Sequence, residues 1–214
     1  DYDGDHYYMW DAQDQYWKGH EWWSANKDQP VLSGNSNGNY PKNNTDSRWN
    51  NEGGGSGRFA ATQSCATLPN ANELTWYAAY GDPRWDADEL WTTMGHLYKG
   101  GMWFKKKSVL QADHHYDTEK SFDGTDWRAK GNSNNWSASQ TLPSAADAGN
   151  YFYLPALGSY VSGRLAAVGG TGYYWSSSAH PWGGTFAYSL YFFIDQVYVS
   201  GSYRPDGRRV DWPE

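Results

Sequence analysis

A single cysteine in 214 residues excludes an internal disulfide, a paired-cysteine zinc site and a cysteine-rich secreted scaffold. Cys65, between Ser64 and Ala66, reads as a small buried hydrophobe. Long apolar runs are missing too: the stretch from Val161 to Val168 is broken by Ser162, Gly163 and Arg164, far short of the roughly 20 residues that cross a bilayer. No direct membrane insertion is expected. Basic charge is scarce, since 17 Lys+Arg against 24 Asp+Glu leave a net −7 and a pI near 5.3. Such a chain has no electrostatic footprint for nucleic acid. The sequence opens on Asp1 rather than Met and is expected to be a processed or trimmed piece, so leader and anchor signals cannot be read from it.

What the chain has in abundance is rings. Its 14 Trp, 18 Tyr and 7 Phe make 18% of the residues, at a mean hydropathy of −0.90 and with 24 Gly. Large rings with polar handles can fill a core beneath a polar surface, so one ordered domain over residues 1–214 is expected.

Residues 1–29 alternate rings with charges and read as a weak amphipathic helix or an irregular, turn-rich segment. From 32 to 57 the composition shifts to Ser, Gly, Asn and Asp, the chemistry of a long surface loop. Asn70 with Glu73 has capping-box spacing, and a helix is expected through Leu74, Trp76, Tyr77 and Ala78 until Gly81-Asp82-Pro83. A second helix is expected from Asp86 to Gly101, with acids in its first turn, Lys99 in its last, and a buried stripe of Leu90, Met94 and Leu97. Residues 111–141 form a second polar insertion. The last third, 151–214, has no Lys and no Asn, although the first 150 residues hold 14 Asn. It reads as short strands: Phe152–Leu157, Gly172–Ser178, and Phe186–Phe193 with Tyr188, Leu190 and Phe192 on one side. A turn at 194–196 leads to Val197 and Val199 facing inward and Tyr198 and Ser200 outward, with the next turn at Gly201–Gly207. Two helices with short antiparallel strands and long loop insertions indicate an α+β fold.

The stretches Tyr151-Phe-Tyr-Leu-Pro-Ala-Leu-Gly158, Gly172-Tyr-Tyr-Trp-Ser-Ser-Ser178, Ala187-Tyr-Ser-Leu-Tyr-Phe192, Val197 and Arg208-Arg209-Val210 resemble C-type lectin fold domains of gut Bacteroidales and their phages. More narrowly, they resemble the variable proteins of diversity-generating retroelements. Leu68-Pro-Asn-Ala-Asn-Glu73 and the run from Asp86 to Phe104 extend the resemblance to about residues 65–110 and 142–210. It implies a non-enzymatic binding protein whose C-terminal region, about 176–210, is rewritten by adenine-directed mutagenesis. It further implies display on a phage virion (tail) or a bacterial cell surface, against a protein or glycan ligand.

In that system an AAC codon can yield Tyr, Ser, Asp, Phe or His but never Trp, Lys, Gln, Glu or Met. The variable face is therefore expected to comprise His180, Thr185, Phe186, Ser189, Tyr191, Phe193, Asp195, Tyr198, Ser200, Ser202, Tyr203, Pro205 and Asp206. Trp175, Trp182 and Trp212, with Gln196, are expected to be framework. Physical reasoning points the same way, because exposed Tyr, Ser and Gly compose adaptable binding surfaces.

Other chemistry weighs less. Asp113-His114-His115 with Asp117, and Lys105-Lys106-Lys107, read as solvated segments, and Asp11, Asp14 and Glu21 lack the context of an acid–base pair. Formylglycine-generating enzymes share the fold that the resemblance implies but use reactive cysteines, and here Cys65 stands alone. A carbohydrate-binding module is the rival that 14 Trp support. The Glu-Pro-Asn, Gln-Pro-Asp and Trp-Asn-Asp triplets of calcium-dependent lectins are absent. No cofactor or metal site is expected, and structural calcium in the Asp- and Asn-rich insertions is all the composition allows.

Overall fold

The computed structural model describes residue 2 and residues 6–214. Residues 6–29 run through irregular turns around β1 (Tyr7–Tyr8), with no α-helix among the described residues there. Large apolar side chains are too dense on all sides of this segment for one helix face: Tyr7, Met9, Trp10, Tyr16 and Trp17 are all sealed inside. The polar stretch 32–57 is loop throughout.

Helix α1 (Ala71–Tyr80) forms where the capping box requires it. The Asn70 side chain accepts the Glu73 N–H at 3.0 Å, and the Glu73 carboxylate accepts the Asn70 N–H at 2.7 Å. Ala71, Leu74, Thr75 and Ala78 make the buried stripe at i, i+3, i+4, i+7.

The segment expected as a second helix is instead a hairpin of β2 (Arg84–Thr93) and β3 (His96–Lys105). Trp91, Thr92, Thr93 and Tyr98 are strand formers, and Met94 and Gly95 take φ of 50° and 73°, which closes a two-residue turn between the paired Thr93 and His96. The acids that imitate a helix first turn form a bulge, in which Asp86 Oδ1 accepts the N–H groups of Asp88 and Glu89, both at 3.0 Å. Of the expected stripe only Met94 is buried, while Leu90 and Leu97 are 62% and 65% exposed.

Two short helices, α2 (Lys107–Ala112) and α3 (Trp127–Lys130), precede β4 (Asn134–Ser137). The last third carries β5 (Tyr151–Pro155), β6 (Leu157–Val161), β7 (Arg164–Val168), β8 (Gly172–Ala179), β9 (Phe186–Phe193), β10 (Gln196–Tyr203) and β11 (Arg208–Arg209). Strands β2, β3 and β5 make a three-stranded antiparallel sheet. The larger sheet has the order β1-β11-β8-β9-β10-β4, with β6 bridging β8 and β7 beyond it. The fold is mixed, mostly antiparallel sheet with few helices, an α+β arrangement.

The main core lies between α1 and the inner face of β8–β10, where Tyr174, Tyr188, Leu190, Phe192, Val197 and Val199 meet Leu74, Tyr77 and Phe104. Strand β10 continues to Tyr203, beyond the turn expected from Gly201, and the turn is confined to 204–207. Gly201 is used for close approach: a Cβ there would lie 2.8 Å from the His180 ring.

Two arginines near the C-terminal end, Arg204 in the turn after β10 and Arg209 in β11, are buried as clamps. Arg204 Nε donates to Phe186 O at 2.9 Å, its two terminal nitrogens reach Asn51 O, Gly53 O and Gly54 O, and its guanidinium lies 4.5 Å from the Trp10 ring. Arg209 pairs with Asp211 over the Tyr7 ring. Cys65 is buried, and burial pushes its thiol well up, so it is no thiolate nucleophile.

Candidate functional site

The alternation expected in β9 and β10 positions a row of rings on the outer face of the large sheet. Tyr191 pairs with Tyr173 of β8 on one side and Tyr198 of β10 on the other. Side chains paired across adjacent strands stand on the same face within contact distance. The Tyr191 and Tyr198 rings stack at 4.7 Å and 4°, Tyr173 and Tyr191 at 5.8 Å and 28°, and Phe193 leans on Tyr198 at 5.6 Å.

Arg208 closes one end of the row, its guanidinium 4.7 Å from the Tyr173 ring and 5.0 Å from Trp175. At the other end β4 aligns Asn135 with Tyr198, and Asn135 Nδ2 donates to Gln196 Oε1 at 2.6 Å. All four rings are half-buried. The faces of Tyr173, Tyr191 and Tyr198 are occupied by one another, by Arg208 and by Phe193, so the tyrosines offer edges and hydroxyl groups outward. Burial, with the Tyr198 phenol beside it, pushes the Tyr191 hydroxyl above its usual value, so it stays protonated at neutral pH as donor and acceptor.

The expected site residues fall into four places. Tyr191, Phe193, Tyr198 and Ser200 share the ring face, and Asp195 stands exposed on the turn beside it.

Ser189 and Ser202 have the outward parity but are buried, which corrects their reading as solvent-facing. Arg208 folds back over that part of the face: its Nη1 donates to Ser189 Oγ at 2.9 Å, and the two serine hydroxyls bond at 2.7 Å. Asp206 is drawn to Arg208 at 3.6 Å and only 16% of its side chain is exposed; burial raises its carboxyl while Arg208 opposes the rise.

Thr185, Phe186 and Tyr203 are exposed at the far end of the hairpin, where Phe186 and Tyr203 pair at 6.1 Å. Tyr203, Pro205 and Asp206 line a cleft of about 240 Å³ with Tyr40 and Trp49. His180 lies on the inner side of the hairpin, half-buried 5.2 Å from Tyr188, and burial pulls its pKa down, so it is neutral at pH 7.

Among the expected framework residues, Trp175 is sealed, with Nε1 donating to Tyr8 O at 2.8 Å, and Trp212 packs on Tyr77 and Phe152 at 5.1 and 5.5 Å. Trp182 supports no core. It is 72% exposed, standing against Gly131, with His180 its only ring neighbour among the described residues.

Tyr173 and Arg208 belong to the ring face, and sequence reasoning missed both. Cross-strand register was the missing signal, since neither lies within the alternating run. No group of three or more His, Cys, Asp or Glu able to hold a metal occurs among the described residues. Asp113, His114 and His115 do not converge: His115 stacks on Tyr80 at 4.0 Å, and Lys105 lies 4.0 Å from Asp113.

Comparison with known protein families, with curated proteins and with solved structures finds no match to this chain.

Proposed function

We propose that the chain is a non-enzymatic ligand-binding domain of C-type lectin fold, the variable protein of a diversity-generating retroelement, which recognises a molecule on a cell surface through its C-terminal hairpin. The observation that carries this reading is the row Tyr173–Tyr191–Tyr198 with Phe193, half-exposed on one face of strands whose other face is the main core. A sheet built this way separates holding from recognising: inner residues fix the backbone, and outer residues can be exchanged at small cost in stability.

Stacked rings offering edges and hydroxyls suit a polypeptide partner, since a sugar needs an open ring face. On this reading the domain is displayed on a phage virion or a bacterial surface, inserts no segment into a membrane, binds no nucleic acid and needs no cofactor.

Sequencing the gene's surroundings tests it. A near-copy of the last roughly 110 bases beside a reverse transcriptase gene, differing only at adenines, is expected. The differing codons should include those of Tyr191, Phe193, Asp195, Tyr198 and Ser200 and spare those of Trp182 and Trp212. The absence of such a copy from the complete genome would overturn the proposal.

A further inference from the structure

A second feature lies outside the C-terminal hairpin. Loop 44–52 and residues Gln13 and Gln63 enclose an open cleft of about 440 Å³, within the size range of small-ligand sites. Its chemistry is unusually narrow. The walls carry five side-chain amides, Gln13, Asn44, Asn50, Asn51 and Gln63, together with the Thr45 and Ser47 hydroxyls and the ring of Trp49. Lys and Arg are absent from the lining, so no cationic side chain is there to draw an anion. Asp46 is neutralised by Arg48, whose Nε and Nη2 reach its carboxylate at 3.0 and 2.8 Å, and Glu52 accepts the Trp49 indole N–H at 2.8 Å. With the acids engaged, a bare cation has no dedicated ligand set.

The cleft is also held open by design of its floor. Buried Asp11 accepts the Asn51 amide at 2.7 Å from one wall and the N–H groups of Thr62 and Gln63 at 2.8 and 2.7 Å from the other. Asp14 N donates to Ser47 O, and Asn51 N to Trp10 O, both at 3.0 Å. Asn50, more than nine-tenths buried at the cleft, has an Oδ1 without a hydrogen-bond partner among the described residues.

We infer that this cleft is a binding site for a neutral sugar. An amide offers a donor and an acceptor side by side, and neighbouring hydroxyls of a pyranose need that pair; with Asn51 engaged by Asp11 and by the Gly53 N–H, the four other amides match a polyhydroxyl ligand rather than an ionic one. Trp49 supplies the apolar wall for the C–H face of the ring. Trp49 also lines the cleft that contains Tyr40 and Tyr203, so a longer saccharide has a continuation toward the hairpin turn. The site is made from residues far from the hairpin's ring face and does not depend on the reading of that face.

The test is an array of neutral and sialylated oligosaccharides probed with the intact protein, with the Gln13→Ala/Asn44→Ala variant, and with the Tyr191→Ala/Tyr198→Ala variant. Gln13 and Asn44 are exposed, so the first variant is expected to keep its fold. The protein should bind neutral oligosaccharides; the cleft variant should bind them about tenfold more weakly, and the ring-face variant as well as the parent. The inference fails if no neutral glycan binds, if binding is confined to sialylated glycans, or if the cleft variant binds undiminished. Any of those results leaves the search for the adenine-differing gene copy unaffected.

Discussion

Arg204 shows how one residue can fasten two parts of a chain far apart in sequence. Its guanidinium meets carbonyls of residues 51, 53 and 54 and of Phe186, so the long polar loop is pinned to the C-terminal hairpin. Arg204→Ala leaves those buried acceptors without donors and is expected to destabilise the protein by about 3 kcal/mol, read as a lower denaturant midpoint. Arg204→Lys should recover little of the loss, because an ammonium cannot fan out to four carbonyls. Arg208 has a different consequence for what can be read from sequence. Period-two alternation marks Ser189 and Ser202 as outward, and the parity is right, yet their burial depends on an arginine six or more residues further on that folds back across the face. No local pattern contains that information.

At the scale of elements, the hairpin β9–β10 was legible because alternation, a turn signal at 194–196 and inward valines all agree over 186–200, and the structure narrows that turn to Ile194–Asp195 with Gln196 opening β10. The β2–β3 hairpin was not, because its composition satisfies helix rules at both ends: acids first, then Lys99 before two glycines. The deciding signal was Trp91-Thr92-Thr93 followed by Met94-Gly95, a strand and a left-handed turn. Gly95→Ala forces a side chain to φ 73° beside Trp22 and should cost about 1 kcal/mol, measurable by thermal melting. The two faces of β9 make opposite predictions. Leu190→Ala or Phe192→Ala empties the main core and should cost about 3 kcal/mol or more. Tyr191→Ala with Tyr198→Ala removes only the outer stack and should cost about 1.5 kcal/mol or less; a loss as large as that of Phe192→Ala would show that the row is part of the core.

For the whole molecule, acid is the informative stress. Burial works to raise Asp126, but hydrogen bonds from Arg128, Asn72 and Arg58 outweigh it and hold the carboxyl far below the usual carboxylate value. Asp123, bonded to Ser121, Thr125 and Trp127, is likewise lowered, to about 2. A depressed folded value means that the stabilisation is complete above the unfolded pKa near 3.9 and is lost as the pH falls through the folded value. Stability should therefore decline steeply between about pH 4 and pH 2, whereas Asp206, whose carboxyl burial raises, gives a slope of opposite sign above about pH 3.9, losing stability as the pH rises through its folded value. Asp126→Asn should lower stability at pH 7 by about 2 kcal/mol and flatten the acid limb, as followed by circular dichroism melts across pH. One further property comes from the short connection at Ile194–Asp195, where both residues are exposed and the strands on either side are fully paired. Foreign peptide spliced into that joint would emerge next to the tyrosine row while the paired strands stay closed behind it, which makes the joint a port for grafting new recognition loops onto an unchanged scaffold.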